Sequence, residues 1–334
     1  MTALPRDTRP AGPNLEKLKL DAPAEIARVA EAIRRNVLQV LKRRGMVVGL
    51  SGGIDSTVTA ALSVAALGKE RVLGVLMPER DSDDDSLRLG KACADALGIE
   101  YVIEDIGPSL DAQGCYQRRD GFIRQIVPAY GEGWKCKIVL SNELSAMGFA
   151  VSFLVVESPE GERSQHRMTA EAYRGIVAAA NMKQRTRKQI EYYHGDRLGY
   201  AVSGTPNRLE YDQGFFVKNG DGAADIKPIA HLYKSQVYQL AEHFDLPAEI
   251  RARPPTTDTW SLPQSQEEFY FSAPYKTMDI CLFGLETGMT AEETAADAAM
   301  TADEVRTVWR DIQGKRKATR YLHTPPILVG TDSP

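Results

Sequence analysis

At 334 residues the chain can bury a substantial core, as one large domain or two small ones, and its net charge of −4 marks neither a basic nor a strongly acidic class. No basic run or arginine-aromatic tract points to nucleic acid, and no apolar stretch approaches the roughly 20 residues that span a membrane. The four cysteines, Cys93, Cys115, Cys136 and Cys281, show neither Cys-x-x-Cys nor Cys/His metal spacing and read as reduced core thiols of a cytoplasmic protein.

Residues 1–20 are expected to be a flexible lead, polar and without the apolar core of a signal peptide at its start, followed by a single domain over 21–330. Residues 24–44 place Ile26, Val29, Ile33, Val37 and Val40 at helical spacing. Met46-Val47-Val48-Gly49-Leu50 then reads as a strand that runs into Ser51-Gly52-Gly53-Ile54-Asp55-Ser56, where a helical pattern starts. Strand, glycine turn and helix start in that order converge backbone N–H groups on an anion, which the helix dipole also favours. Gly52 and Gly53 are both expected to supply positive φ and a close approach to phosphate, and Ser51 and Ser56 to add hydroxyl donors. Asp55 would repel a phosphate unless a divalent cation lay between them, so the loop predicts polyphosphate plus magnesium. The spacing is neither Walker A nor Gly-x-Gly-x-x-Gly. It resembles the pyrophosphate loop of the N-type ATP pyrophosphatases, which split ATP between its α and β phosphates and activate a substrate as its adenylate.

Residues 71–77 and 99–103 read as strands around a helix at 86–97. The alternation predicts an α/β fold with a doubly wound, mainly parallel sheet flanked by helices, and ligands beyond the carboxyl ends of its strands. Residues 108–170 break the alternation as an insertion, with 149–157 and 162–168 flanking Ser158-Pro159-Glu160-Gly161 as a β-hairpin. That hairpin reads as a decoration on the sheet edge, with a specificity device as the rival. A long helix is expected over 170–193 and a buried strand over 198–203, ending in a second glycine turn that carries Gly204, Thr205 and Glu210. Asp55 and Glu210 on two such turns suit one magnesium bridging phosphate oxygens. Residues 215–225 read as a polar surface loop and 229–244 as a helix with Lys234 in its first turns, against the dipole unless an anion is there. The remainder is helical, with Thr290-x-x-Glu293 and Thr301-x-x-Glu304 as capping boxes.

In order and spacing, these segments resemble the ammonia-dependent NAD synthetases along most of residues 24–330. The likeness runs through the Gly49–Ser56 loop, Asn181-Met182-Lys183-Gln184-Arg185-Thr186-Arg187, Gly204-Thr205 with Glu210, and Lys218 with Gly220-Asp221 and Asp225. It continues through Leu232-Tyr233-Lys234-Ser235-Gln236, Pro255-Thr256-Thr257-Asp258 and Lys315-Arg316. The resemblance implies ATP-dependent amidation of deamido-NAD through an acyl-adenylate, with AMP and pyrophosphate released. It implies Asp55, Glu210 and Lys234 as the catalytic set, with Asp55 and Glu210 holding magnesium. ATP would be bound by Gly49, Leu50, Ser51, Gly52, Gly53, Ile54, Asp55, Ser56, Arg80, Thr205, Lys234 and Thr256. Deamido-NAD would be bound by Asn181, Arg185, Lys218, Asp221, Asp225 and Lys315, partly across a homodimer interface. The chain departs from the family at Val217, Asn219 and Gly314 and is longer than expected by about 40 residues within 108–170. Rival readings are a related adenylating amide ligase for a different carboxylate and a catalytically silent nucleotide-binding relative. Residues 1–45 are too few for a glutaminase module, so free ammonia or a separate glutaminase subunit is the expected nitrogen source.

Overall fold

In the computed structural model, which describes residues 12–140, 152–256, 259–271 and 273–329, short apolar runs form the strands. These are β1 (Met46–Gly49), β2 (Val72–Leu76), β3 (Glu100–Ile103), β4 (Lys135–Leu140), β5 (Ser152–Glu157), β6 (Arg163–Arg167) and β7 (Ala201–Val202). The first helices are α1 (Ala22–Arg34), α2 (Ile54–Leu67), α3 (Asp84–Leu97), α4 (Gly107–Ala112), α5 (Cys115–Arg124) and α6 (Ala170–Leu198). They are followed by α7 (Arg208–Gln213), α8 (Lys234–His243), α9 (Ala248–Ala252) and α10 (Gln266–Phe269). The chain closes with α11 (Tyr275–Thr287), α12 (Ala291–Ala298) and α13 (Ala302–His323).

Four strands pair in parallel in the order β3-β2-β1-β7. Both faces of this sheet are covered, which is why its strands carry apolar residues at successive positions. Met46 packs with Val58 and Leu62 of α2, and Val48 with Ala60 and Leu89. Val47, Leu73 and Val75 point the other way, to Ile106, Leu110 and Tyr116. The fold is therefore the doubly wound α/β arrangement that the alternation predicted, with a helical C-terminal part. In that part α11, α12 and α13 pack around Leu18, Leu209, Tyr233 and Phe271. Both predicted capping boxes are formed, at Thr290/Glu293 and Thr301/Glu304.

The hairpin forms as expected, β5 pairing antiparallel with β6 around the Ser158–Gly161 turn, where Gly161 adopts φ +85°. It does not extend the edge of the parallel sheet. With β4 it makes a separate three-stranded sheet whose inner face, Cys136, Ile138, Leu154 and Val156, packs on Ile123, Ile176 and Trp260. Positions 149–151 of the expected strand lie outside the described residues.

Other expectations need correction. The lead is docked from Asn14 onward, whose N–H donates to the Asp297 carbonyl at 2.6 Å, and Leu18 is 1% exposed. The expected first helix gives way to a π-helical turn at Arg35–Val40 and stops there. The strand expected over 198–203 contracts to two residues because α6 runs on to Leu198 and Gly199 caps it. All four cysteines are free and buried, and among the described residues no helix is long and apolar enough to cross a membrane.

Candidate active site

The loop after β1 is shaped by one left-handed residue. Gly52 has φ +70°, and a Cβ there would fall 2.7 Å from the Leu89 Cβ and 2.8 Å from the Ser86 carbonyl. Gly53 is extended at φ −87° and caps α2, so only one of the two glycines expected at positive φ adopts it. The hydroxyls of Ser51 and Ser56 lie 3.3 Å apart, Ser51 Oγ accepts the Gly53 N–H at 3.3 Å, and Ser56 Oγ donates to the Gly53 carbonyl at 2.9 Å. Leu50 and Ile54 point into the core and offer the site only backbone.

Asp55 and Glu210, 155 positions apart in the chain, are brought together by the second turn. Asn207 caps α7 in a reciprocal box, its side chain accepting the Glu210 N–H at 3.2 Å while Glu210 Oε2 accepts the Asn207 N–H at 3.1 Å. The same Asn207 donates its side-chain amide to Asp55 Oδ1 at 3.2 Å. Lys234, only 2% exposed, closes on the other Asp55 oxygen. Gln266, the first residue of α10, donates to Glu210 Oε1 at 2.7 Å. Burial and then the Asp55 charge push the Glu210 carboxyl up to about 7, against the attraction of Lys234. Burial alone would depress Lys234, but Asp55 and Glu210 outweigh it and raise its pKa above the usual lysine range. The anion that a lysine at a helix start requires is therefore there.

Two acids share one lysine, so the cluster carries a surplus of negative charge. Among the described residues no set of three or more His, Cys, Asp or Glu could hold a metal. Two hard carboxylate donors fit a small divalent cation that completes its shell with phosphate oxygens and water, as magnesium does.

The cluster opens on a cavity of about 1290 Å³. That exceeds the roughly 300–1,000 Å³ typical of one drug-sized ligand. Gly49, Leu50, Ser51, Gly53, Ile54, Asp55, Ser56, Thr205, Glu210, Lys234 and Thr256 line it, with Asn181, Arg185, Lys218, Asp221 and Lys315. Arg185 donates to the Lys218 carbonyl at 3.3 Å, and Lys218 itself donates to the carbonyls of Tyr321 at 2.8 Å and Thr324 at 2.7 Å. Asp221 accepts the Val217 N–H at 2.7 Å and is raised by burial. Burial lowers Lys315, opposed by Asp311 at 2.6 Å. Three expected residues do not reach the cavity wall. Gly52 turns the loop from behind; Arg80 stacks over the Tyr116 ring at 3.8 Å; Asp225 accepts the Val202 N–H at 2.8 Å, fastening the end of β7.

Sequence reasoning passed over Asn207, Gln266 and the buried pair Lys188–Glu191. Only Asn207 left a signal, an Asn-x-x-Glu spacing that is itself a capping box. The helix expected from 229 starts at Lys234 instead, where Asp279 of α11 accepts the N–H groups of Lys234 at 3.2 Å and Ser235 at 2.7 Å.

Fold and site together define an α/β protein with a glycine turn, two hydroxyls and a buried Asp–Glu–Lys cluster at the carboxyl ends of its parallel strands, the place where this class of sheet takes its ligands. The comparisons with known proteins narrow that class. The family description NAD synthase matches residues 25–124 and 155–321. An NH(3)-dependent NAD(+) synthetase of Rhizobium rhizogenes is 62% identical over 314 residues, covering 94% of this chain and 95% of that one. In fold, the chain is similar to NMN synthetase from Francisella tularensis (TM-score 0.65, 19% identity, 94% of this chain and 100% of that one). It is also similar to NH3-dependent NAD synthetase from Campylobacter jejuni in complex with the nitrate ion (TM-score 0.59, 22% identity, 93% and 100% covered). The chain belongs to the NAD synthase family.

Proposed function

We propose that this chain amidates deamido-NAD to NAD with free ammonia, consuming ATP and releasing AMP and pyrophosphate. It does so as a cytoplasmic homodimer whose two copies share the dinucleotide, and a separate glutaminase subunit is an alternative source of the ammonia. The observation that carries this reading is the meeting of Asp55, Glu210 and Lys234 over the glycine turn after β1, in a chain 62% identical to an NH(3)-dependent NAD(+) synthetase.

Magnesium held by Asp55 and Glu210 would neutralise the ATP phosphates and the departing pyrophosphate. The loop N–H groups and the hydroxyls of Ser51 and Ser56 cradle the β and γ phosphates at the helix N-terminus. Lys234 carries its charge to the same oxygens, with Thr205 and Thr256 on the nucleotide. Asn207 keeps the two acids in register, and Gly52 sets the turn. Asn181, Arg185, Lys218, Asp221 and Lys315 face the acid substrate. Arg80 and Asp225 act from outside the cavity wall, Asp225 by fixing the end of β7.

The nicotinate carboxylate attacks the α-phosphorus as the bond to the bridging oxygen breaks, which leaves an acyl-adenylate. Ammonia adds to its carbonyl, AMP departs, and a proton is lost to give the amide. Holding two anionic substrates in line supplies much of the rate. Incubating the protein with ATP, magnesium, ammonium and deamido-NAD should yield AMP and NAD in equal amounts. AMP formed only with another carboxylic acid would reassign the substrate, and no AMP with any acid would make the protein a binder.

A further inference from the structure

In a doubly wound sheet the ligand crevice opens where the strand order reverses. With the order β3-β2-β1-β7, that point lies between β1 and β7. A buried ion pair from α6 occupies its floor. Lys188 Nζ lies 2.6 Å from Glu191 Oε2 and 3.4 Å from the Ser203 carbonyl, at the end of β7. Glu191 Oε1 lies over the end of β1, 2.8 Å from where a Cβ on Gly49 would stand. The pair thus joins the roots of both glycine turns. The two residues are 5% and 6% exposed, and both line the cavity that holds the phosphate loop.

A buried ion pair is a weak source of stability, because desolvation offsets most of its attraction. This one has an evident use. Adenylation brings a carboxylate against a polyphosphate, and Lys234, the cation beside Asp55, is already engaged by that carboxylate. An ammonium has three N–H donors, and Lys188 spends one on Glu191 and a long one on Ser203. It stands on the same helical face as Asn181, Gln184 and Arg185, at spacings of three and four, and all of them line the cavity.

We propose that Lys188, held in place by Glu191, is the seat for the carboxylate of the acid substrate as it attacks the α-phosphorus. This rests on the adenylating reaction proposed above. Lys188 donates to the non-attacking carboxylate oxygen; the other oxygen forms the bond to phosphorus as pyrophosphate leaves, and no proton moves. The seat therefore recognises a carboxylate and not the carboxamide that the second step produces.

The test compares the wild type with Lys188→Met/Glu191→Leu, which removes both charges together, and with Lys188→Arg. In the double variant the KM for deamido-NAD should rise about 10- to 100-fold, while the dissociation constant for magnesium-ATP stays within about twofold. Wild type should bind deamido-NAD more tightly than NAD, the double variant should bind the two alike, and Lys188→Arg should restore much of the difference. An unchanged KM and an unchanged preference for deamido-NAD over NAD in the double variant would make the pair structural and overturn the proposal. A weakening confined to ATP would assign Lys188 to the α-phosphate, which overturns it equally. If the double variant does not fold, Lys188→Gln carries the same comparison. Failure of the wild type to form AMP from deamido-NAD is a different result, which removes the reaction and not only its seat.

Discussion

Two buried charge clusters lie at strand ends of the same sheet, and they differ in balance. At the end of β2, Glu79 and Asp81 meet Lys183 and Arg119, with Asp120 on Arg119 and Arg80 at the rim, three acids against three bases. Lys183 donates to Glu79 at 2.9 Å, to Asp81 at 2.6 Å and to the Thr259 carbonyl at 2.8 Å, and Tyr116 donates to Glu79 at 2.8 Å. Burial pushes Asp81 up, but Lys183 and Arg119 outweigh it and hold it below the usual carboxylate range. At the ends of β1 and β7, two acids share Lys234, and Glu210 rises to about 7. The first cluster is closed: it fastens the 79–82 turn to α5, α6 and the chain near Thr259. The second is short of one positive charge and opens on the cavity. Charge balance separates a fastening from a site, although the residue types are nearly the same.

Substitution should separate them in the same way. Asp55→Ala should cut pyrophosphate release by about 1000-fold or more, with the folded state retained by circular dichroism. Release near the wild-type rate would remove Asp55 from the metal set. Lys183→Met should do the opposite, lowering unfolding free energy in urea by about 3–5 kcal/mol because Glu79 is left buried without its cation and Asp81 keeps only Arg119. Its turnover, measured where it is still folded, should change far less.

The clusters should also respond to pH with opposite signs. Asp81, depressed in the folded chain, adds stability that is present above its ordinary value of 3.8 and is lost as pH falls through the lower folded value. Glu210, raised to about 7 from 4.5, binds more protons folded than unfolded, so its share of stability falls as pH rises from about 4.5 to 7. Melting temperatures taken without magnesium should show both limbs. Glu210→Gln should reduce the upper one, which Asp279, also raised by burial to about 7, shares, and Asp81→Asn the lower. The smallest effect serves as a control outside both clusters: Gly314→Ala, in an exposed stretch of α13 with open space around it, should stabilise by about 0.5–1 kcal/mol without touching activity.

What could be read from the sequence follows the range of the forces involved. The strand, turn and helix around Ser51–Ser56 are set by neighbours, so the glycine turn and the helix start were visible in six residues. The parallel sheet was visible because strands buried on both faces leave continuous apolar runs. The partnership of Asp55 with Glu210 was inferred from two similar turns, yet Asn207, the residue that touches both, was not. Pairings such as Lys183 with Glu79 join residues 104 positions apart and leave no periodicity. The start of α8 was misplaced for the same reason: the apolar spacing of Ile229, Leu232 and Val237 continues a helical pattern, while the cap, Asp279, comes from α11. The edge role expected of the hairpin failed because β4 gave it a partner of its own.

The docked lead has a consequence for the cluster around Asp55. Leu20 donates its N–H to the Gln239 side chain at 2.9 Å, and that side chain returns a bond to the Leu18 carbonyl at 3.0 Å. Gln239 sits on α8, whose first residue is Lys234. Trimming the protein back to the start of α1 would thus unclip the helix that presents the lysine to Asp55. A shortened form made for crystallisation would carry its defect at Lys234 and Asp55, through the helix that the missing residues had held.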